Sequence, residues 1–320
     1  MNLKEFGNLL ESTLIWKEGF INLIFGLLPI FLALLLLVTF WIDAVLRNKF
    51  WKRLVYSLSV SFASLLLLLI WGSGIERFNL QVFTEQVNLG FKSKIALFSD
   101  IHIGRFKDKN WVDKVISETN KIENLDAILV AGDWTYYPKV ITKQAFLESF
   151  AGLKNSKYPI YAVNGNHDVQ KPGPRMRAEF EAALVELGVV FVDDKFVDFP
   201  TWRLVGVEDL WSESYNGVDK TNFTATKPNV VLTHDPDTVR QYQSLTTKPV
   251  LTLTGHTHCG QVRIPFLYKY ALPVIDAYYD KGWYQVDDNS RLFITCGVGE
   301  GGLPIRLFNP PTINVLEIKE

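Results

Sequence analysis

All five histidines of this chain sit in short polar clusters, each at the end of an apolar run: SDIHIG (Asp100, His102), NGNHD (Asn166, His167, Asp168), LTHD (His234, Asp235) and TGHTHCG (His256, His258). A fifth cluster of the same build, AGDW, carries Asp133 without a histidine. No histidine falls in the first 100 residues. Histidines used for ordinary packing would scatter. Confinement to punctuated sites predicts one metal centre assembled from loops far apart in sequence. Asp100 and His102 are two apart, as are His256 and His258, and in extended chain such pairs point the same way. Asn166 and His167 are adjacent and should diverge, which suits one ligand and one non-ligand. The donors are two carboxylates, an amide oxygen and four imidazoles. That mixture favours Mn²⁺, Fe or Zn²⁺ over Mg²⁺ or Ca²⁺. Seven donors exceed the needs of one ion but fit two ions about 3.5–4 Å apart, a geometry best known for phosphate-ester hydrolysis.

The elements that must position these residues follow from the flanking runs. KIALFSD, AILVAGD and PIYAVNGNHD read as strands, with helical segments NWVDKVISETNKIE, ITKQAFLESFAGL and PRMRAEFEAALVELG among them. This alternation argues for a layered α/β domain with much parallel sheet. Candidate ligands directly follow five strands, as expected of sites at the carboxyl ends of an open sheet. Later strands (VVFVDD, TWRLVGV, NVVLTHD, VLTLTGHTH, RLFITCG, TINVLEI) have few long helices between them and predict a second sheet. The expected fold class is α/β, a four-layer αββα sandwich over 93–320, preceded by a membrane region and linker over 1–92.

The N-terminal region holds two charge-free apolar runs, about 21–42 and 54–71, each long enough for a transmembrane helix, the second only just. Residues 72–92 read as a linker. The short link between the runs carries Arg47, Lys49, Lys52 and Arg53. The positive-inside rule places that link in the cytoplasm and both chain ends outside, in a multi-pass inner-membrane protein. Net charge is −1, so nothing suggests a nucleic-acid partner. The two cysteines, Cys259 and Cys296, are too few for a disulfide framework. They are either two small buried residues or, outside the cytoplasm, a pair.

The ordered series D-x-H, G-D, G-N-H-D, H and G-H-x-H resembles the calcineurin-like metallophosphoesterase superfamily over about 94–318. SDIHIG, GDWT, GHTHCGQVRIP and GLPIRLFNPP look most like its bacterial membrane-associated branch. That branch includes phosphodiesterases and UDP-2,3-diacylglucosamine pyrophosphatases of lipid A synthesis. The resemblance implies that Asp100, His102 and His258 bind a first ion, that Asn166, His234 and His256 bind a second, and that Asp133 bridges them. His167 would contact the phosphate and protonate the leaving group, and Asp168 would orient His167. The implied activity is hydrolysis of a phosphate ester, lipid-linked or from the cell envelope, by a metal-activated hydroxide. A non-catalytic metal-binding scaffold is the contrasting expectation. Arg306, after the glycine-rich CGVGEGG segment, is a candidate phosphate contact, with a plain tight turn as the alternative. Trp134, Tyr136, Tyr137, Trp211, Tyr278, Tyr279 and Trp283 crowd the expected rim.

Overall fold

A computed structural model describes residues 26–27, 29–104, 106–136, 142–169, 177–212, 215–242, 251–274 and 278–320. The chain divides into two compact units, one of residues 1–78 with 302–307, the other of 79–301 with 308–320.

The first unit contains α1 (Pro29–Val45) and α2 (Lys49–Ile70), which a π-type turn and a 3₁₀ turn extend to Phe78. Asn48 starts α2 by accepting the Phe50 amide. The 30-residue helical stretch has a mean hydropathy of 2.1 over its most apolar window, and only 6 % of that window is buried. Along α2 only Val55 and Ser59 are buried. A helix apolar all round and unburied has the surface of a membrane span. The predicted run 54–71 falls on this stretch. The predicted run 21–42 is supported less far. Its described helix, Pro29–Val45, is shorter than a bilayer core requires, and residues 21–25 lie outside the described residues. One helix, not two, therefore meets the length and composition of a span among the described residues. In the same unit the Arg306 amide donates to Gly72 O (3.1 Å) and the Arg77 guanidinium to Pro304 O (3.1 Å).

The second unit is built on two six-stranded sheets. Its strands are β1 (Gln81–Asn88), β2 (Ser93–Phe98), β3 (Ala127–Ala131), β4 (Ile160–Val163), β5 (Val189–Phe191), β6 (Phe196–Asp198), β7 (Arg203–Gly206), β8 (Asn229–Leu232), β9 (Leu251–Thr254), β10 (Gly282–Asp287), β11 (Ser290–Ile294) and β12 (Thr312–Lys319). The first sheet runs β1-β12-β2-β3-β4-β5, with β2 to β5 parallel and β12 antiparallel to β2. The second runs β10-β11-β9-β8-β7-β6, with β11, β9, β8 and β7 parallel.

Two of these placements differ from expectation. Residues 72–92, read as a linker, contain β1, which pairs along its whole length with β12. Its apolar residues are too few to stand out without that partner. VVFVDD and TINVLEI, grouped by sequence with the second sheet, supply β5 and β12 of the first.

Helices α3 (Lys109–Thr119), α4 (Lys143–Ser149) and α6 (Arg177–Glu186) cover the outer face of the first sheet, while α5 (Asn166–Val169) is a single turn in the site. Asp108 caps α3 by accepting from the Asn110 and Trp111 amides. Trp111, Val112, Val115 and Ile116 then face Phe98, Ile128 and Val130. Between the sheets, Ile95, Leu97, Leu129 and Val163 meet Trp202, Leu204, Leu232 and Leu253. The outer face of the second sheet is covered differently from the αββα expectation. Val205 and Val231 pack under Val239 and Tyr242, which belong to a 3₁₀ turn and its end, and no α-helix lies there among the described residues. Among the described residues, the stretches after β7 and after β8 form 3₁₀ turns, Lys220–Asn222 and Pro236–Gln241.

Candidate metal centre

Every ligand candidate lies just past a strand's carboxyl end: Asp100 and His102 after β2, Asp133 after β3, Asn166 after β4, His234 after β8, and His256 and His258 after β9. The backbone leaves these strands sharply. Asp100, His102, Asp133, His256 and His258 all have positive φ, between 46° and 66°. Such conformations cost non-glycine residues roughly 1–3 kcal/mol each and persist where the surroundings over-determine them, typically at functional sites. Close approach also explains the glycines before Asp133 and Asn166. A Cβ on Gly132 would stand 2.8 Å from the His234 ring, and one on Gly165 would stand 2.3 Å from Asp133 Oδ1.

These turns gather the donors into two groups that meet at Asp133. In the first, His102 Nε2 lies 3.1 Å from His258 Nε2 and 3.9 Å from Asp100 Oδ1, and His258 Nε2 lies 3.5 Å from Asp100 Oδ1. In the second, His234 Nε2 lies 3.0 Å from His256 Nδ1 and 3.2 Å from Asn166 Oδ1. Asp133 Oδ2 stands between the groups, 3.4 Å from His102 Nε2 and 3.2 Å from His234 Nε2. The ligand atoms of Asp100, His102 and His258, and those of Asp133, His234 and His256, each lie within 4.8 Å of one another. Asp100, His102, Asp133, His234, His256 and His258 are all buried.

Backbone carbonyls set the imidazole tautomers. His102 Nδ1 faces Thr135 O (3.2 Å), His234 Nδ1 faces Ala131 O (2.7 Å) and His256 Nε2 faces Pro273 O (2.6 Å). A carbonyl only accepts, so each facing nitrogen carries a proton and the other nitrogen is aimed into the site. This is the outer arrangement that orients metal-binding histidines. Burial pulls the His102 pKa down to about 3 and lowers that of His256, keeping both rings neutral. Burial also opposes charge on His234, but the adjacent Asp133 carboxylate outweighs it and holds that ring's pKa well above its usual value. Burial likewise opposes the Asp133 anion, but His234 and His167 hold its carboxyl well below the usual range. Buried carboxylates and imidazole lone pairs converging at such distances repel one another, and divalent cations among them turn that repulsion into coordination. The donor set thus fits two ions, with Asp133 shared.

His167 is half-buried. Its ring stacks on Tyr136 (4.7 Å between centroids) and meets His102 edge-on (4.9 Å), and its amide donates to Asp133 Oδ1 (2.9 Å). It also forms a three-donor group with His102 and Asp133. Asp168 is buried and accepts from the amides of Gly165 (2.9 Å), Thr135 (3.1 Å) and Trp134 (3.2 Å) and from Thr135 Oγ1 (3.3 Å). Its hydrogen bonds therefore go to two backbone turns, not to the His167 ring. Burial, reinforced by repulsion from Asp133, pushes its pKa up to about 7. Arg306 is buried in the other compact unit.

Sequence reading missed the orienting carbonyls, because a peptide oxygen has no residue signature. It also left the cysteines open. The structure joins Cys259 and Cys296 in a disulfide with Cα atoms 4.8 Å apart. Cys259 directly follows ligand His258, and Cys296 precedes Gly297, on which a Cβ would meet that of Asp100 at 2.7 Å.

Side chains from five strand ends thus converge in His and Asp groups that could hold metal, a candidate metal centre between two sheets. Residues 93–260 match the calcineurin-like phosphoesterase family, and the chain belongs to that family, whose members hydrolyse phosphate esters. It is 28% identical over 232 residues to an uncharacterized metallophosphoesterase of Helicobacter pylori, covering 70% of this chain and 59% of that protein. It is 27% identical to phosphodiesterase YaeI of Escherichia coli, covering 70% and 82%. It is 25% identical to a transmembrane protein with metallophosphoesterase domain from Danio rerio, covering 71% and 53%. The chain thus spans under two thirds of the length of the Helicobacter and Danio relatives.

Proposed function

We propose that this chain is a membrane-tethered phosphoesterase that hydrolyses a phosphate ester with two divalent ions, of which Mn²⁺, Fe and Zn²⁺ suit the donors best. The observation that carries the reading is the shared Asp133 between two sets of buried donors. Asp100, His102 and His258 hold one ion, Asn166, His234 and His256 the other, and Asp133 both. Bound there, the ions supply Lewis-acid charge for the phosphoryl oxygens and a lowered pKa for water.

The protein's own groups do the rest. His167, half-buried at the site and stacked on Tyr136, protonates the leaving oxygen. Asp168 ties the Asp133 turn to the Asn166 turn through its four hydrogen bonds, so it positions His167 through the backbone.

The domain acts outside the cytoplasm. The basic link Arg47–Arg53 before and within α2 favours that orientation, and a disulfide persists in an oxidising compartment. This argues against a nucleotide-linked lipid precursor made in the cytoplasm. A reporter fused to the C-terminus and found cytoplasmic would reverse that preference.

The test is hydrolysis of aryl phosphodiester and phosphomonoester by the full chain in detergent, with Mn²⁺, with chelator, and as His167→Ala. Turnover that needs metal and is lost in His167→Ala, while two ions stay bound, is expected. A chelator-insensitive protein would overturn the reading, and unchanged turnover in His167→Ala would remove the proton-donor role.

A further inference from the structure

In the second sheet β8 leads into His234 and β9 into His256 and His258, but their parallel neighbour β7 supplies none of the seven donors. The chain past β7 still starts out beside the chain past β8. Gly206 pairs with Leu232, and the Val207 amide donates to Leu232 O (2.9 Å). Two residues further on stands Asp209, past a strand's carboxyl end, where sites of open sheets form. It is fully buried. Its Oδ1 accepts the Trp211 amide (2.9 Å) and its backbone carbonyl the Ser212 amide (3.0 Å), whereas its Oδ2 has no hydrogen-bond partner. A buried carboxylate oxygen without a donor is costly. The fold therefore keeps at Oδ2 an acceptor that its own packing does not use.

The charges around Asp209 point to what does use it. Of the neighbouring groups, His234 most favours the Asp209 anion, while Asp235 and Asp133 oppose it. In return Asp209 favours positive charge on the His234 ring. A divalent ion on that ring brings more charge to the same place than a proton does, so the attraction grows. Asp209 lies outside the donor groups whose atoms converge within 4.8 Å, which separates it from the ligands.

We propose that Asp209 is a positioning residue for the second ion: it touches no metal, and its unused carboxylate supplies the counter-charge that retains the ion held by Asn166, His234 and His256. The inference rests on the two-ion reading of the proposed function and goes beyond it, because it assigns metal retention to a residue outside the ligand set. Charge balance gives the reason. Two divalent ions bring four positive charges, and the seven donors answer with only two carboxylates, Asp100 and Asp133. Uncompensated charge in a buried site is expensive. Asp168 spends its oxygens on four hydrogen bonds, whereas Asp209 has one oxygen left.

The test is Asp209→Asn in the full chain in detergent. Mn²⁺ affinity is read by competition with a fluorescent indicator and Mn²⁺ content by elemental analysis. Asparagine keeps an oxygen for the Trp211 amide and removes the charge. The ion-free variant should unfold at the same temperature or higher, since a buried carboxylate is gone. One of the two ions should bind about 10–100-fold more weakly, the range typical of groups just outside the ligands. Single-ion backgrounds identify it. In His258→Ala, which leaves the second set whole, Asp209→Asn should weaken binding, and in His256→Ala, which leaves the first set whole, it should not. Unchanged affinity in the His258→Ala background, equal weakening in both backgrounds, or a lower Tm of the ion-free variant would overturn the inference. An unsubstituted chain that takes up fewer than two ions would sink the two-ion reading and this inference with it. Two ions bound, with no effect of Asp209→Asn, would sink this inference alone.

Discussion

The two sheets bring different chemistry to the shared centre and secure it by different means. The first sheet supplies the oxygen donors Asp100, Asp133 and Asn166 with a single ligand imidazole, His102, whereas the second supplies only imidazoles, His234, His256 and His258. The first rim is tied by hydrogen bonds among turns, with Asp168 receiving three amides and a hydroxyl and Gly165 packed against Asp133. The second rim has a covalent tie from Cys259 to Cys296 and the anchoring of His258 O by Asn309 Nδ2 (2.7 Å). Charged donors near one another must be held by a backbone that cannot relax away. In the second rim, single contacts to carbonyls aim the rings of His234 and His256, and His258 is held through its backbone. The difference suggests that the first rim sets charge and spacing, and the second sets direction.

Replacing the residue that joins the rims should have the largest effect. Asp133→Asn keeps the shape but removes the carboxylate's charge, and turnover should fall by more than the 10–100-fold range typical of outer-sphere changes. Ion stoichiometry by elemental analysis should drop from two, and an unchanged count would mean that Asp133 is not shared.

Next, Asp168→Ala would leave the amides of Gly165, Trp134 and Thr135 buried without their acceptor. Each such group costs roughly 1–3 kcal/mol, so a loss of about 3 kcal/mol or more is expected in thermal unfolding. A small change in Tm would show that water replaces the carboxylate and that the first rim is not tied this way.

A smaller loss, about 2–4 kcal/mol, is expected from Cys259→Ala with Cys296→Ala, because the bridge spans 37 residues. Competition with a metal indicator should show weaker binding by the group containing His258. Unchanged affinity would make the bridge a fold staple only.

The smallest effect separates the rims by pH. His102 is neutral down to about pH 3, but Asp133 holds the proton on His234. Metal must displace that proton, so affinity at the His234 group should fall as pH drops, while the His102 imidazole contributes no such loss above about pH 3. Proton release measured by calorimetry in buffers of different ionisation enthalpy checks this, and equal pH slopes for the two ions would erase the distinction.

Much of the centre was legible before folding. Asp100, His102, Asp133, Asn166, His234, His256 and His258 were marked by residue type, by spacing and by the glycines that let the chain turn, all of them local properties. The strands ending in these clusters were legible for the same reason, since a continuous apolar run is itself a local signal. β1 was not legible, because an edge strand with a mostly exposed surface is defined by its pairing with β12, more than 200 residues away. The 3₁₀ turn that covers the second sheet among the described residues was likewise hidden, because what covers a sheet depends on where distant loops fall. The sequence by itself determined which side chains could bind metal. The tertiary structure decided that Asp133 lies between two donor groups, that backbone carbonyls of Thr135, Ala131 and Pro273 aim the rings, that Asp168 ties turns instead of bonding to His167, and that Cys259 meets Cys296. Each of these is a distance between groups remote in sequence, and only the packing of the two sheets fixes such distances.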